Sequence, residues 1–155
     1  MTHLPDVYIA ADHHGFELKN ILRDWLNKEG YTVTDFGPEK ATPDDDYPDY
    51  GIKVAEAVAQ NPEKRLGIVI CSSGVGMAVA ADKVKGVRAG LIHHPLLAKA
   101  AREDDDINVL ALGADYISTD EAKEVVKVWL ETPFSGAERH TRRLEKISAY
   151  ERKHA

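Results

Sequence analysis

Along this chain, short runs of β-branched and aliphatic residues alternate with longer stretches whose apolar positions recur at helical spacing. Val7-Tyr-Ile-Ala-Ala11 predicts a buried strand. From Phe16 to Glu29 the apolar residues Phe16, Leu18, Ile21, Leu22, Trp25 and Leu26 fall mostly on one helical face, and Gly30 follows as a stop. Tyr31-Thr-Val-Thr-Asp35 alternates as a strand does, and Gly37-Pro38 breaks it. A polar loop over 39–46 leads to a predicted helix from Tyr50 to Gln60, ended by Asn61-Pro62. Arg65 to Cys71 reads as a third strand, Met77 to Ala81 as a short helix and Val87 to Ile92 as a fourth strand. Pro95 suits a first helical turn and opens a helix over Leu96 to Glu103. Val109 to Leu112 is the fifth strand, and Ser118 or Thr119 caps a helix that runs to about Glu131. After a linker over 132–136, a highly charged last helix begins at about Ala137.

Five strands separated by helices, with no internal repeat and no second composition regime, predict an α/β fold: a doubly wound, Rossmann-like parallel sheet with helices on both faces. At 155 residues the chain suffices for one domain with a substantial core, expected over about 7–131 with a helical extension over about 137–152. That last helix has few apolar positions for its length (Leu144, Ile147 and Tyr150), so it is expected to pack on a partner subunit. A net charge of −6 provides no broad basic face, which argues against nucleic acid or an anionic membrane as a partner. No apolar run approaches the ~20 residues that span a bilayer. Met1 to Asp6 lacks the charged and apolar regions of a signal peptide. One cysteine precludes an intrachain disulfide and fits a reducing compartment, so the expected location is cytoplasmic.

Chemistry concentrates where strands should end. Ile68-Val-Ile-Cys71-Ser-Ser73-Gly74-Val-Gly76-Met77 puts the only thiol after an apolar run and before a glycine loop and a helix. Ligands bind at that edge of open parallel sheets, and a thiol beside free amides suits proton or acyl chemistry on a small anion. A buried small hydrophobe at a strand end is the plainer reading. Asp12-His13-His14-Gly15 follows the first strand and pairs a carboxylate with imidazoles, able to relay protons or bind hydroxyls, or simply to cap a helix. The acidic stretch from Asp44 to Tyr50 reads by default as a solvated helix start, with Asp46 or Asp49 near the dipole. His93-His94 reads as a loop pair, and no histidine spacing supports a metal site. Arg139, His140 and Arg143 share a helix face and form either a phosphate clamp or a solvated face paired with Glu138 and Glu145.

Taken in order, these segments resemble one family. Ala11-Asp-His-His-Gly-Phe16, Asp46-Tyr-Pro48, Ile70-Cys-Ser-Ser-Gly-Val-Gly76, Val87-Arg-Ala89, Asn108-Val-Leu-Ala-Leu-Gly113 and Arg139-His-Thr-Arg-Arg143 look like type B ribose-5-phosphate isomerase, a family that also includes the subunits of galactose-6-phosphate isomerase. The resemblance runs from about Val7 to about Tyr150 and is to the branch that carries the cysteine; the other branch has a glutamate at the position of Met77. It implies a cofactor-free and metal-free aldose–ketose isomerase acting on ribose 5-phosphate through a cis-enediolate. Cys71 would be the base, Ser73 would shuttle protons between O1 and O2, the backbone N–H groups of Ser73, Gly74, Val75 and Gly76 would hold the enediolate oxygen, and Ser72 would join them in binding substrate. A free thiol needs help to ionise, and a helix N-terminus with loop amides supplies it. Asp12 and His13 match residues that meet the sugar, Tyr47 a tyrosine near it, and Arg139 and Arg143 the arginines that bind phosphate.

Two positions depart from the family pattern. A His-Asn pair usually precedes the Asn-Val-Leu segment, and its histidine helps open the furanose ring; here these positions are Asp104 and Asp105. Two residues after Gly113, where many members carry an arginine, stands Asp115. Both positions are expected to come from the partner subunit of a homodimer or tetramer with shared sites. Carboxylates beside a phosphate should weaken its binding. Three explanations follow. Asp104, or His93, His94 or His14, opens the ring of ribose 5-phosphate; the substrate is another sugar or sugar phosphate, of the allose- or galactose-6-phosphate type; or a paralogous subunit supplies the missing groups. A non-catalytic sugar-phosphate-binding protein is the reading from a different class.

Overall fold

A computed structural model describes residues 3–155; Met1 and Thr2, part of the segment read for a signal peptide, lie outside the described residues. Eleven elements follow in the order β1 (Asp6–Ala11), α1 (Phe16–Lys28), β2 (Val33–Asp35), α2 (Tyr47–Ala59), β3 (Arg65–Cys71), α3 (Val75–Ala81), β4 (Ala89–Leu91), α4 (Pro95–Asp105), β5 (Val109–Gly113), α5 (Thr119–Glu131) and α6 (Glu138–Lys153). All strand pairs are parallel, in the spatial order β2-β1-β3-β5-β4. One apolar layer joins α1, α4 and α5 to the sheet through Leu18, Leu22, Leu26, Ala98, Val125 and Trp129. The opposite layer joins α2 and α3 through Val54, Val58, Met77 and Ala81. Covered on both faces, β3 and β5 are almost wholly buried, which is why they read as unbroken apolar runs rather than alternating ones. Among the described residues no helix is long and apolar enough to cross a membrane.

The doubly wound prediction holds, and several boundaries move for local reasons. The predicted strand over Tyr31–Asp35 starts only at Val33. Gly30 lies at φ +96°, the Gly30 N–H donates to the Asn27 carbonyl and the Tyr31 N–H to the Leu26 carbonyl, so Tyr31 belongs to a Schellman cap of α1. Helix α2 begins at Tyr47 rather than Tyr50 because Pro48 pre-sets its first turn. Strand β4 shrinks to Ala89–Leu91, since the Arg88 N–H donates to the Asn108 side chain instead of to a neighbouring strand. Helix α3 starts at Val75, two residues before the expected Met77, on a cap formed by Gly74 at φ +79°. Ser118, not Thr119, caps α5, and its hydroxyl and Glu121 complete a capping box.

The chain turns in opposite directions after β1 and β3, because β2 lies on one side of β1 and β4 beyond β5 on the other. That switch point opens a crevice at the carboxyl edge of the sheet. Pairing of Ala11 with Ile70 and of Cys71 with Gly113 brings the ends of β1, β3 and β5 level there.

Candidate active site

Cys71 is the last residue of β3 and only 5% exposed. Its Sγ accepts a hydrogen bond from the Gly74 N–H at 3.2 Å, while the Val75 N–H donates to Ser73 Oγ at 3.3 Å. Two of the four amides over Ser73–Gly76 are thus engaged within the loop itself. The loop's path needs a left-handed residue at Gly74, where a Cβ would also stand 2.5 Å from Leu91 Cδ1. Its far side is tied to β5, with the Ala114 N–H on the Cys71 carbonyl (2.9 Å) and the Asp115 N–H on the Ser72 carbonyl (3.0 Å).

Beside the thiol, the Asp12 N–H donates to the Ile70 carbonyl, which seats Asp12 at the mouth of β3. Asp12 is buried, and its Oδ1 accepts from the N–H groups of His14 (3.0 Å) and Gly15 (3.2 Å), so it organises the turn that leads into α1, whose N-cap is Gly15 rather than Asp12. Next to it, the His13 ring meets Asp45 through Nδ1 and Oδ1 at 2.7 Å. That hydrogen bond raises the His13 pKa against the effect of partial burial, with help from the charges of Asp45, Asp12 and Asp44. A carboxylate oxygen of Asp12, a ring nitrogen of His13 and a carboxylate oxygen of Asp45 lie within 4.8 Å of one another. From α2, the half-exposed Tyr47 lays its ring on Gly76, whose missing side chain leaves room for it. Burial, followed by the carboxylate of Asp45, raises the Tyr50 hydroxyl.

Sequence reasoning left Asp45 in a solvated acidic run, and nothing local could have found it, because its partner is 32 residues away. His93, read as half of a loop pair, accepts the Gly113 N–H on Nε2 at 3.0 Å, and burial lowers its pKa. His94 caps α4, its Nδ1 accepting from Leu96 N–H.

One chain brings together Cys71, Ser72, Ser73, Gly74, Val75, Gly76, Asp12, His13 and Tyr47. It does not bring Asp104, Asp105, Arg139 and Arg143 to them. Asp104 and Asp105 end α4, which runs back from the carboxyl edge to the amino edge, where Arg88 just before β4 donates to the Asp105 carbonyl. Helix α6 crosses that same amino edge, since the Ser135 N–H bonds the Glu103 carbonyl and Glu151 accepts from the Gly86 N–H. The seven residues of β3 put the two edges on the order of 20 Å apart. Within α6 His140 is buried, with Nδ1 2.7 Å from Ser135 Oγ and Nε2 3.5 Å from Asp104, whereas Arg139 and Arg143 are exposed. Arg142 pairs with Glu138 at 2.6 Å; among the described residues Arg139 and Arg143 have no ion-pair partner. Asp115 stands beside the thiol loop of its own chain, its N–H on the Ser72 carbonyl.

The sequence pattern of the Ribose/Galactose Isomerase family matches residues 7–147. The chain is 42% identical over 147 residues to the probable ribose-5-phosphate isomerase B of Mycoplasma genitalium, covering 95% of this chain and 96% of that one. It is 37% identical over 145 residues to the D-erythrulose-4-phosphate isomerase of Pectobacterium atrosepticum, covering 94% of each. The crystal structure of the M. genitalium ribose-5-phosphate isomerase B with bound ribulose-5-phosphate superimposes with a TM-score of 0.92 at 41% identity, covering 95% of this chain and 96% of that one. The chain belongs to the ribose/galactose isomerase family.

Proposed function

We propose that the chain interconverts ribose 5-phosphate and ribulose 5-phosphate, as one isomerase domain of the cytoplasm and without metal or organic cofactor. The observation that carries this reading is the Cys71 thiol at the switch point, with the Gly74 N–H on its Sγ and Asp12 and His13 beside it. In the open-chain aldose, Cys71 removes the C2 proton; the C2 electron pair forms the C1–C2 double bond and O1 takes up a proton, giving the cis-enediol(ate). Return of a proton to C1, with loss of the O2 proton, yields the ketose. Ser73 carries the proton between O1 and O2, and the loop amides hold the developing oxyanion. Asp12 and His13 bind the sugar, and Tyr47 walls the site above Gly76.

The phosphate clamp comes from a second copy of the chain. The thiol edge is acidic, with Asp12, Asp44, Asp45, Asp46, Asp49 and Asp115, and a dianionic phosphate needs cations there. Arg139 and Arg143 lie exposed on the opposite edge of their own chain, free of ion pairs among the described residues. The exposed Val75, Val79 and Leu91 line the unpaired β4 edge next to the thiol loop, an apolar patch suited to a subunit contact. Asp104 travels to the neighbour's site with the arginines and opens the sugar ring, with His140 behind it at 3.5 Å.

A second reading, another short sugar phosphate as substrate, is favoured by the likeness to D-erythrulose-4-phosphate isomerase. Turnover in D2O tests the first. Ribulose 5-phosphate formed from unlabelled ribose 5-phosphate should carry deuterium at C1 to the extent that the proton held by the base exchanges with solvent before its return, and Cys71→Ala should abolish the turnover. A Cys71→Ala chain that keeps the wild-type rate would remove Cys71 from its role. No product from ribose 5-phosphate, with turnover of D-erythrulose 4-phosphate, would transfer the assignment to the second reading.

A further inference from the structure

The loop before α2 makes one long-range contact that the isomerase chemistry leaves unused. Asp45 Oδ1 accepts from both the backbone N–H (3.1 Å) and the ring Nδ1 (2.7 Å) of His13. The Asp45 side chain is 8% exposed, and its Oδ2 is closed off from solvent without a hydrogen-bond partner. Such an oxygen is costly to bury, so the arrangement persists only if something offsets it. The His13 ring, in direct contact with the same carboxylate, and the Tyr50 hydroxyl facing it are the groups placed to supply that compensation. Contact through Nδ1 also settles the ring's orientation, because an imidazole held there has only Nε2 left to offer. The ring is 30% exposed, and among the described residues Nε2 makes no hydrogen bond to the protein.

We propose that Asp45 is a positioning residue for the substrate: it turns His13 so that Nδ1–H is held by the carboxylate and Nε2–H is presented to the oxyanions of the bound sugar phosphate. This rests on the reading that a sugar phosphate occupies the Cys71 edge. The groups facing His13 are Asp12 from the end of β1, Asp44 and Asp45 from the loop, and the His14 ring at 4.2 Å; Tyr50 of α2 faces Asp45. The bond to Asp45 and the carboxylates together keep His13 protonated to higher pH than a free imidazole.

The sign follows directly. In the wild type, KM for ribose 5-phosphate is lowest where His13 is protonated and climbs as pH passes the raised His13 pKa. In Asp45→Asn that climb moves to lower pH. Ionisation of the substrate phosphate is common to both proteins and cancels in the comparison.

The experiment follows the His13 ring by NMR across pH in the intact protein, identified by its loss in His13→Gln, together with KM and kcat across the same range. Asp45→Asn should lower the His13 midpoint by about one pH unit and raise KM near pH 7.5 by roughly fivefold to tenfold, with kcat changed less. Asp45→Glu should recover part of both effects, which separates positioning from a folding defect. If His13→Gln raises KM while Asp45→Asn matches the wild type in midpoint and KM profile, the role of Asp45 is overturned and the site reading stands. If His13→Gln leaves KM unchanged, the reading of this edge fails and the inference falls with it.

Discussion

Gly113 ends β5 with its α-carbon pressed against the thiol loop, where a Cβ would stand 2.4 Å from the Ser73 carbonyl oxygen. Backbone cannot yield there as a flexible side chain would, so Gly113→Ala must push the Cys71–Ser73 segment away from β5. Overpacking of this kind costs about 1–3 kcal/mol, and a displaced base loses rate steeply, on the order of tenfold to a hundredfold. Thermal denaturation and steady-state kinetics on the variant check both; unchanged kcat/KM would mean that the loop is not held by this contact. At this scale the chain was legible where chemistry is local. Cys71 with its glycine loop, and Asp12 with His13, sit within a few residues of a strand end and show themselves in a linear reading. Asp45 did not, because a run of aspartates before a helix is ordinarily solvated and its buried contact with His13 exists only after folding.

Helix α1 shows the same contrast among elements. Of the apolar face read over Phe16 to Leu26, the i, i+4 series Leu18, Leu22, Leu26 is buried, Phe16 and Trp25 are half-buried and Ile21 is exposed, and Lys19 between the leucines is also fully buried. Its ammonium donates to both oxygens of Asp35 (3.0 and 2.9 Å) and to the Pro38 carbonyl (2.8 Å), and Arg23 joins the same carboxylate at 2.7 Å. This pins the end of β2, and the loop that carries Asp45, to α1. Burial pulls the Asp35 carboxyl up, but Lys19, the Gly37 N–H and Arg23 together hold it below the usual carboxylate range. Asp35→Asn leaves a buried ammonium without its counter-charge and should cost about 3 kcal/mol near neutral pH. A group with a lowered folded pKa stabilises above its unfolded pKa and loses that contribution as pH falls through the folded one. The gap between wild type and Asp35→Asn, read from denaturant unfolding, should therefore close below about pH 4. A constant gap across that range would assign the loss to packing instead. No periodicity announces a buried lysine, and the shortened β2 and β4 likewise depend on caps and side-chain acceptors that a hydrophobic pattern does not contain.

Across the whole molecule, the sheet separates the chemistry into two halves. The thiol loop, Asp12 and His13 occupy the carboxyl edge, and α6 with Arg139 and Arg143 crosses the amino edge about 20 Å away. The alternation of strands and helices placed the thiol loop, Asp12 and His13 at strand ends; the placement of α6 across the amino edge rests on the Ser135 and Glu151 contacts, which no sequence pattern carries. Two copies that exchange edges would complete two sites. The decisive measurement is complementation: Cys71→Ala and Arg139→Ala/Arg143→Ala chains, purified alone and as co-expressed mixed oligomers, assayed for conversion of subsaturating ribose 5-phosphate to ribulose 5-phosphate. Each variant alone should be nearly inactive, and the mixture should regain a substantial fraction of wild-type rate, because one of its two sites is intact. A Cys71→Ala chain that turns over by itself would contradict the thiol as base, and mixed oligomers as inactive as their parents would contradict a site built from two chains.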